Sequence, residues 1–247
     1  LKIILARLPV PYSFWSSVGI FRHGSMNKYN YVERVFYKHY KRLKEFNSNI
    51  DKPVILEIGP GDSIMSTIFA LENEAKLILI DDGNYTKFEK ENIKKILDKC
   101  NFNNKIKKNI LLAKNNQELL DICDAKFYNN GLDSIKKIES NSIDFIYSQA
   151  VLEHIRVNEV EKYITEFKRV LKIGGSMSHI IDFKDHLGGN LNNLRFPSRI
   201  WESKFASKSG FYTNRIRYSQ FINLFKTSEL NIKILSKEVW KSIPINR

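Results

Sequence analysis

A doubly wound α/β protein, with a mostly parallel sheet and helices on both faces, is the fold class this sequence predicts. Three observations lead there. The apolar run Val54-Ile55-Leu56 breaks at Gly59-Pro60-Gly61, and a second apolar run, Leu77 to Ile80, closes on Asp81-Asp82. Further strand-like runs near 125–129, at Ile143 to Ser148 and at Ser176 to Phe183 alternate with stretches of helical periodicity. Strands that alternate with helices pair in parallel and are covered on both sides.

The elements follow in order. Tyr29, Val32, Val35, Phe36, Tyr40 and Leu43 recur at helical spacing, which predicts an amphipathic helix over about 27–47. Strand one covers about 53–58, a helix about 63–73, and strand two about 76–81. Residues 84–123 are rich in Lys and Asn and predict two helices with Asn101 to Asn104 as the break. Strand three lies near 125–129. Strand four runs from Ile143 to Ser148 and leads into a helix. A helix over 159–172 closes on Gly174-Gly175 and precedes strand five. Nothing repeats, and no low-complexity linker divides the chain.

The 247 residues suffice for one full core. At 43% hydrophobic and 12% aromatic residues, disorder is excluded. A formal charge of +13 suits an anionic partner such as nucleic acid, but the lysines are scattered among asparagines, and a solvated basic surface explains them as well. Cys100 and Cys123 lack metal-ligand spacing and read as free thiols in a reducing, cytoplasmic setting. No apolar run reaches the length of a membrane span. The segment 1–21 is apolar but broken by Pro9 and Pro11; it reads as a clasp on the domain, with peripheral membrane contact through Phe14, Trp15, Ile20 and Phe21 as the alternative.

Gly59 and Gly61 let the backbone turn sharply and approach a ligand, and an acidic group about twenty residues further on suits the two hydroxyls of a ribose. The pattern therefore predicts an adenosine-type ligand at the carboxyl ends of the strands. A third glycine, as a dinucleotide site would have, is missing: Ile64 stands there.

Taken together, Ile55 to Ser63, Leu77 to Asp82, Ile143-Asp144-Phe145 through Ala150-Val151-Leu152-Glu153-His154, and Leu171-Lys172-Ile173-Gly174-Gly175 resemble the successive motifs of the class I S-adenosylmethionine-dependent methyltransferases, small-molecule branch. The resemblance covers about residues 53–183 and implies a Rossmann-like sheet of seven strands. It implies that Glu57 organises the loop and the methionine end of the cofactor, that Gly59 and Gly61 line the methionine and ribose portion, and that Asp81, or else Asp82, takes the ribose hydroxyls. Ser148 and Gln149 would face the methionine moiety. Many members carry an acidic residue after strand three for the adenine amino group; here Asn130, or the Gly131–Leu132 backbone, would substitute. More softly, Ser178 to Asp182, Asp185-His186, Asn193 to Phe196, Trp201 and Tyr212 to Arg215, together with Phe21 to Gly24, are similar to a bacterial subgroup associated with surface-polysaccharide or glycolipid biosynthesis.

A hydroxyl acceptor needs a base. His186 and Asp182 at the exit of strand five, and His154 after strand four, are the candidates, with loop capping and turn anchoring as their structural alternatives. Asp185 belongs to the same group, and His179 reads as packing in the sheet. No metal is expected, since the His and Asp residues show no recurrent ligand spacing. Arg195, Arg199, Arg215 and Arg217 suit a phosphate or carboxylate on the acceptor. Trp201, Phe205, Phe211 and Tyr212 suit a substrate cover. The organisation expected is a single methyltransferase domain over 1–247: a helical clasp (1–50), a cofactor core (51–183), and a cover with the final strands (184–247). The acceptor expected is a small molecule or glycan. The alternatives are an RNA methyltransferase, weakened because Ser148-Gln149-Ala150-Val151 replaces the Asn/Asp-Pro-Pro-aromatic turn of base-methylating enzymes, and a non-catalytic methyltransferase-like module.

Overall fold

Helical periodicity opens the described chain. In α1 (Tyr29–Phe46), Val32, Val35, Phe36, His39 and Leu43 are buried on one face. The structure is a computed structural model that describes residues 28–187 and 190–242. The expectations for the N-terminal clasp and its membrane contact lie outside the described residues.

After α1 come β1 (Val54–Ile58), α2 (Ser66–Glu72), β2 (Lys76–Ile80), α3 (Lys90–Lys99), α4 (Asn104–Leu112), α5 (Asn116–Ile122), β3 (Lys126–Tyr128), α6 (Gly131–Ile135), β4 (Ile143–Gln149), α7 (Val160–Val170) and β5 (Leu171–Ile180). A 3-10 turn (Asn192–Arg195) and three helices, α8 (Ser198–Trp201), α9 (Lys204–Ser207) and α10 (Tyr218–Thr227), complete the order. The strands form one sheet in the order β3-β2-β1-β4-β5. β1 pairs in parallel with β2 and with β4, and β2 with β3. This is the Rossmann-like order, and its direction reverses at β1/β4, where open α/β sheets bind ligands. β1 and β4 are buried almost throughout, as strands covered on both faces are. Phe36 of α1 stacks on Phe69 of α2 at 5.9 Å within the core.

The described chain divides into two compact units, residues 28–149 with 169–179, and residues 150–168 with 180–187 and 190–242. The first holds most of the sheet; the second consists of turns, most of α7, short helices, α10 and the tail after it.

Four expectations change. Five strands, not seven, are found among the described residues. The tail after α10 has no strand pairing, and its Ile234, Leu235, Val239 and Trp240 are exposed, so no face of it is buried as a strand requires. The segment 84–123 makes three helices, because Asn103 and Asn115 each accept an amide hydrogen bond at a helix start, from Ile106 and Glu118. The residues after β4 form turns, and the next helix begins only at Val160. Gly174-Gly175 does not follow a helix end. β5 begins at Leu171, directly after α7, and contains both glycines, with Gly174 at φ +79° and Ile173 99% exposed.

Asp144 on β4 joins three strands. One of its oxygens accepts the Val54 amide at 2.8 Å, and both accept the Lys172 ammonium at 2.9 Å. Asp144 is buried and Lys172 half-exposed, so the amide bond matters more than the ion pair. Asp144→Ala is expected to cost about 2 kcal/mol in urea unfolding, and Lys172→Met less than half of that. Equal losses would place the stabilisation in the ion pair instead.

Candidate functional site at the carboxyl edge of the sheet

Parallel pairing brings the ends of β1, β2, β3 and β4 to one edge of the first unit: Ile58 aligns with Ile80 and Ser148, and Ile80 with Tyr128. Backbone bonds then lock the loops that leave this edge. The Gly59 amide donates to the Ile80 carbonyl at 2.8 Å, and the Asp81 amide to the Tyr128 carbonyl at 2.9 Å. The Gly131 amide donates back to the Asp81 carbonyl at 2.8 Å. Gly59 and Gly61 have φ of 72° and 70°, a conformation that a side chain resists. Beyond Asp82, an irregular loop returns over the glycine turn, with the Lys87 amide bonded to the Asp62 carbonyl at 2.9 Å.

Asp81 is the hub of this edge. Its Oδ2 accepts the Gly61 amide at 2.9 Å and its Oδ1 the Asp82 amide at 2.8 Å. Burial, with neighbouring Asp82 adding to it, raises its pKa above the usual carboxylate range. Asp82 itself is exposed. Beneath the turn, Glu57 is buried, and its Oε2 accepts the Ser66 hydroxyl at 2.6 Å. Burial pushes the Glu57 pKa up to about 7, against hydrogen bonding that lowers it. The buried Tyr147 hydroxyl faces this carboxyl without reaching hydrogen-bonding geometry.

The remaining predicted cofactor residues divide. Asn130 is exposed, its amide donates to the Ser134 hydroxyl at 3.1 Å, and its side chain makes no capping bond to α6. Gly131 is buried and Leu132 half-buried. Gln149 is half-buried at the tip of β4. Ser148 is turned inward, its hydroxyl sharing a 2.8 Å hydrogen bond with His179 Nδ1. That imidazole, packed in the sheet as expected, and His39, which sequence reasoning missed, form an internal polar layer. His39 Nδ1 shares a 2.8 Å bond with the Ser178 hydroxyl, and its ring stacks on Tyr147 at 4.9 Å. Burial lowers the two histidine pKa values to about 4 for His39 and about 3 for His179. The signal for His39 was its place on the apolar face of α1.

The second unit holds the candidate bases. His154 Nδ1 lies 2.9 Å from the Tyr212 carbonyl. A carbonyl only accepts, so Nδ1 carries the hydrogen and Nε2 is the basic nitrogen. The exposed His186 packs edge-on against the His154 ring at 4.7 Å. Asp182 makes no hydrogen bond to His186; its Oδ1 accepts the Lys184 amide at 3.0 Å, and its own amide donates to Glu153 Oε1 at 3.2 Å. Asp185 is a loop organiser, accepting the Leu187 and Asn193 amides at 2.9 and 3.0 Å. Glu153, assigned no role from the sequence, is buried, and burial raises its pKa to about 8. Its position in an apolar run, Val151-Leu152-Glu153, was the available signal. Among the described residues, no group of three or more His, Cys, Asp or Glu side chains is arranged to hold a metal ion.

The carboxyl edge fits the nucleoside end of S-adenosylmethionine. The two glycines leave a turn without side chains. The Asp81 carboxylate, with room for about four hydrogen bonds, uses one per oxygen internally and keeps capacity for two hydroxyl donors.

A doubly wound sheet with a glycine turn after β1 and a half-buried carboxylate after β2 is an α/β arrangement suited to a nucleoside. Residues 56–178 match a family model described as a methyltransferase domain. The match supports methyltransferase activity: the chain is an enzyme, and its cofactor is S-adenosylmethionine. A comparison with curated proteins finds no match. Among solved structures, the chain is similar to the YcgJ protein from Bacillus subtilis, with 15% identity, 78% of this chain and 67% of that one covered, and a TM-score of 0.47. It is also similar to phosphoethanolamine N-methyltransferase 2 from Haemonchus contortus, solved with phosphomonomethylethanolamine and S-adenosylhomocysteine, with 16% identity, 78% and 36% coverage, and a TM-score of 0.44.

Asp81→Ala is expected to weaken S-adenosylhomocysteine binding by at least about tenfold in calorimetry, because the hydroxyl acceptor and the Gly61 tether go together. Binding at wild-type strength would remove Asp81 from the site. Glu57 and Glu153 also set a pH dependence. In the fold each keeps a proton that the unfolded chain releases above its ordinary 4.5, so their stabilisation is lost as pH rises through about 7 and about 8. The buried histidines act oppositely, but only below their ordinary 6.5. The melting temperature of the cofactor-free protein should therefore fall between about pH 6.5 and about pH 8, and less steeply in Glu57→Gln. A parallel fall in the variant would contradict this.

Proposed function

We propose that this methyltransferase acts on a hydroxyl of a sugar, glycolipid or other small acceptor, in the formation of a bacterial surface polysaccharide or glycolipid. The observation that supports it is the imidazole pair of the second unit, His154 and His186, in ring contact at 4.7 Å. When bound, S-adenosylmethionine supplies a methyl group already activated by its sulfonium. The protein's own residues then align the nucleophile and take its proton. A hydroxyl needs that help, since it is a poor nucleophile while protonated. We assign proton removal to His186, with His154 as the imidazole against it and Asp182 as the carboxylate favouring positive charge in the same loop.

An RNA substrate draws on the charge of +13. Several lysines are already engaged, however: Lys94 with Glu91, Lys99 with Glu33, Lys136 with Asp133 and Lys168 with Glu229. A basic surface of this kind favours solvation over a phosphate track.

His186→Ala is expected to leave S-adenosylhomocysteine affinity unchanged and to lower turnover on a sugar hydroxyl by about 100-fold, with the loss shrinking at higher pH. Turnover at the wild-type rate would remove His186 as the base. Tight RNA binding with a steep salt dependence would favour the nucleic-acid substrate.

A further inference from the structure

The second unit contains a narrow recess with a free volume of about 10 Å³, lined by Glu153, Asp182, Asn193, Thr213, Arg215 and Arg217, among others. Space on this scale takes one small polar group at most, so the unpartnered side chains around it, rather than its volume, carry the argument. Four of its polar side chains carry buried atoms without a hydrogen-bond partner: Glu153 Oε2, Asn193 Oδ1, Arg215 Nε and Arg217 Nη2. Buried polar atoms are ordinarily satisfied, and four orphans around one recess are unusual. Glu153 and Asn193 are only 3% and 1% exposed, so bulk water does not serve them.

The recess is also built to keep its shape. Asn193 Nδ2 donates to the Thr213 hydroxyl at 2.9 Å. Arg215 donates from Nη2 to the Asn193 and Phe196 carbonyls and lies 5.2 Å over the Trp201 ring. Trp201 in turn donates to the Thr213 carbonyl at 2.8 Å. Arg215 sits at φ +56°, a strained backbone for a side chain of this size, as is found where a site is held in place.

The orphans specify a ligand. Arg217 and Arg215 offer cationic N–H donors, which select an oxyanion. Asn193 Oδ1 accepts, which selects a hydroxyl beside that oxyanion. Glu153 completes the set as a donor, since its buried carboxyl holds its proton at neutral pH and adds no opposing charge.

We propose that this recess binds an oxyanion borne on a hydroxylated carbon skeleton, a sugar acid or a sugar phosphate, and that the acceptor of the methyl group is of this anionic class. The second half rests on the function proposed above; the binding site does not.

The test is calorimetric titration of the full chain with glucuronic acid, glucose 6-phosphate and glucose, with S-adenosylhomocysteine titrated into the same preparations. At least one of the two anionic sugars should bind at least about tenfold more tightly than glucose, and the stronger of the two tells carboxylate from phosphate. Arg217→Gln should cost at least about tenfold in that affinity and leave S-adenosylhomocysteine binding unchanged, which also shows the variant is folded. Glu153→Gln, which keeps a donor at the same place, should bind within about threefold of wild type. Equal affinity for glucose and the anions, no binding of either anion, or an Arg217→Gln variant that binds as wild type would each overturn the proposal. Loss of S-adenosylhomocysteine binding in the wild-type chain would instead count against the methyltransferase reading, so the two failures are separate.

Discussion

One carboxylate organises the carboxyl edge of the sheet. Asp81 receives the Gly61 amide on one oxygen and the Asp82 amide on the other, while its own amide and carbonyl reach the Tyr128 carbonyl and the Gly131 amide. The turn after β1, the tip of β2 and the loop after β3 thus converge on a single residue. Each of these loops is too irregular to hold itself by secondary structure. Their positions are instead transmitted through Asp81, and a nucleoside lying on this edge meets a surface fixed before it arrives. Pre-fixing of this kind lowers the ordering cost of binding.

Below that edge the interior is more polar than its strands suggest. Glu57 with Ser66, His39 with Ser178, and Ser148 with His179 form short hydrogen-bonded pairs around the Tyr147 ring. Each of these pairs, in a low-dielectric interior, favours one arrangement, because a shift would break its bond.

The strand-and-helix alternation, the glycine turn and the acidic tip of β2 were legible because each depends on local backbone chemistry: apolar runs, residues tolerant of positive φ, and a carboxylate at a fixed distance. The three-helix segment before β3 was half-legible. Asn103 lies within the expected break, but Asn115 as a second cap was overlooked among so many asparagines. Glu153 and Asn193 stood within quoted motifs, but the recess they line was not legible, since it joins residues about 40 to 60 positions apart in one unit, which no periodicity records. The His–Asp pair expected at 182–186 failed for a related reason. Asp182 and Asp185 are taken up by backbone amides of their own loop, and a histidine from a different segment, His154, lies against His186 instead.

The glycines of β5 bear on a different matter. A parallel sheet ends in two strands whose outer groups can recruit another chain, and such edges drive aggregation when long, flat and apolar. β3 has only three residues, one of them a lysine. β5 has ten, and carries Ile173 almost wholly in solvent. Here Gly174 breaks the regular pleat, and Asn47 clasps the break, donating to the Gly174 carbonyl and accepting the Ser176 hydroxyl, both at 2.7 Å. The kink makes the longer edge a poor template for an incoming strand. Among the described residues, the long edge strand is thus interrupted where an incoming chain would have to pair with it.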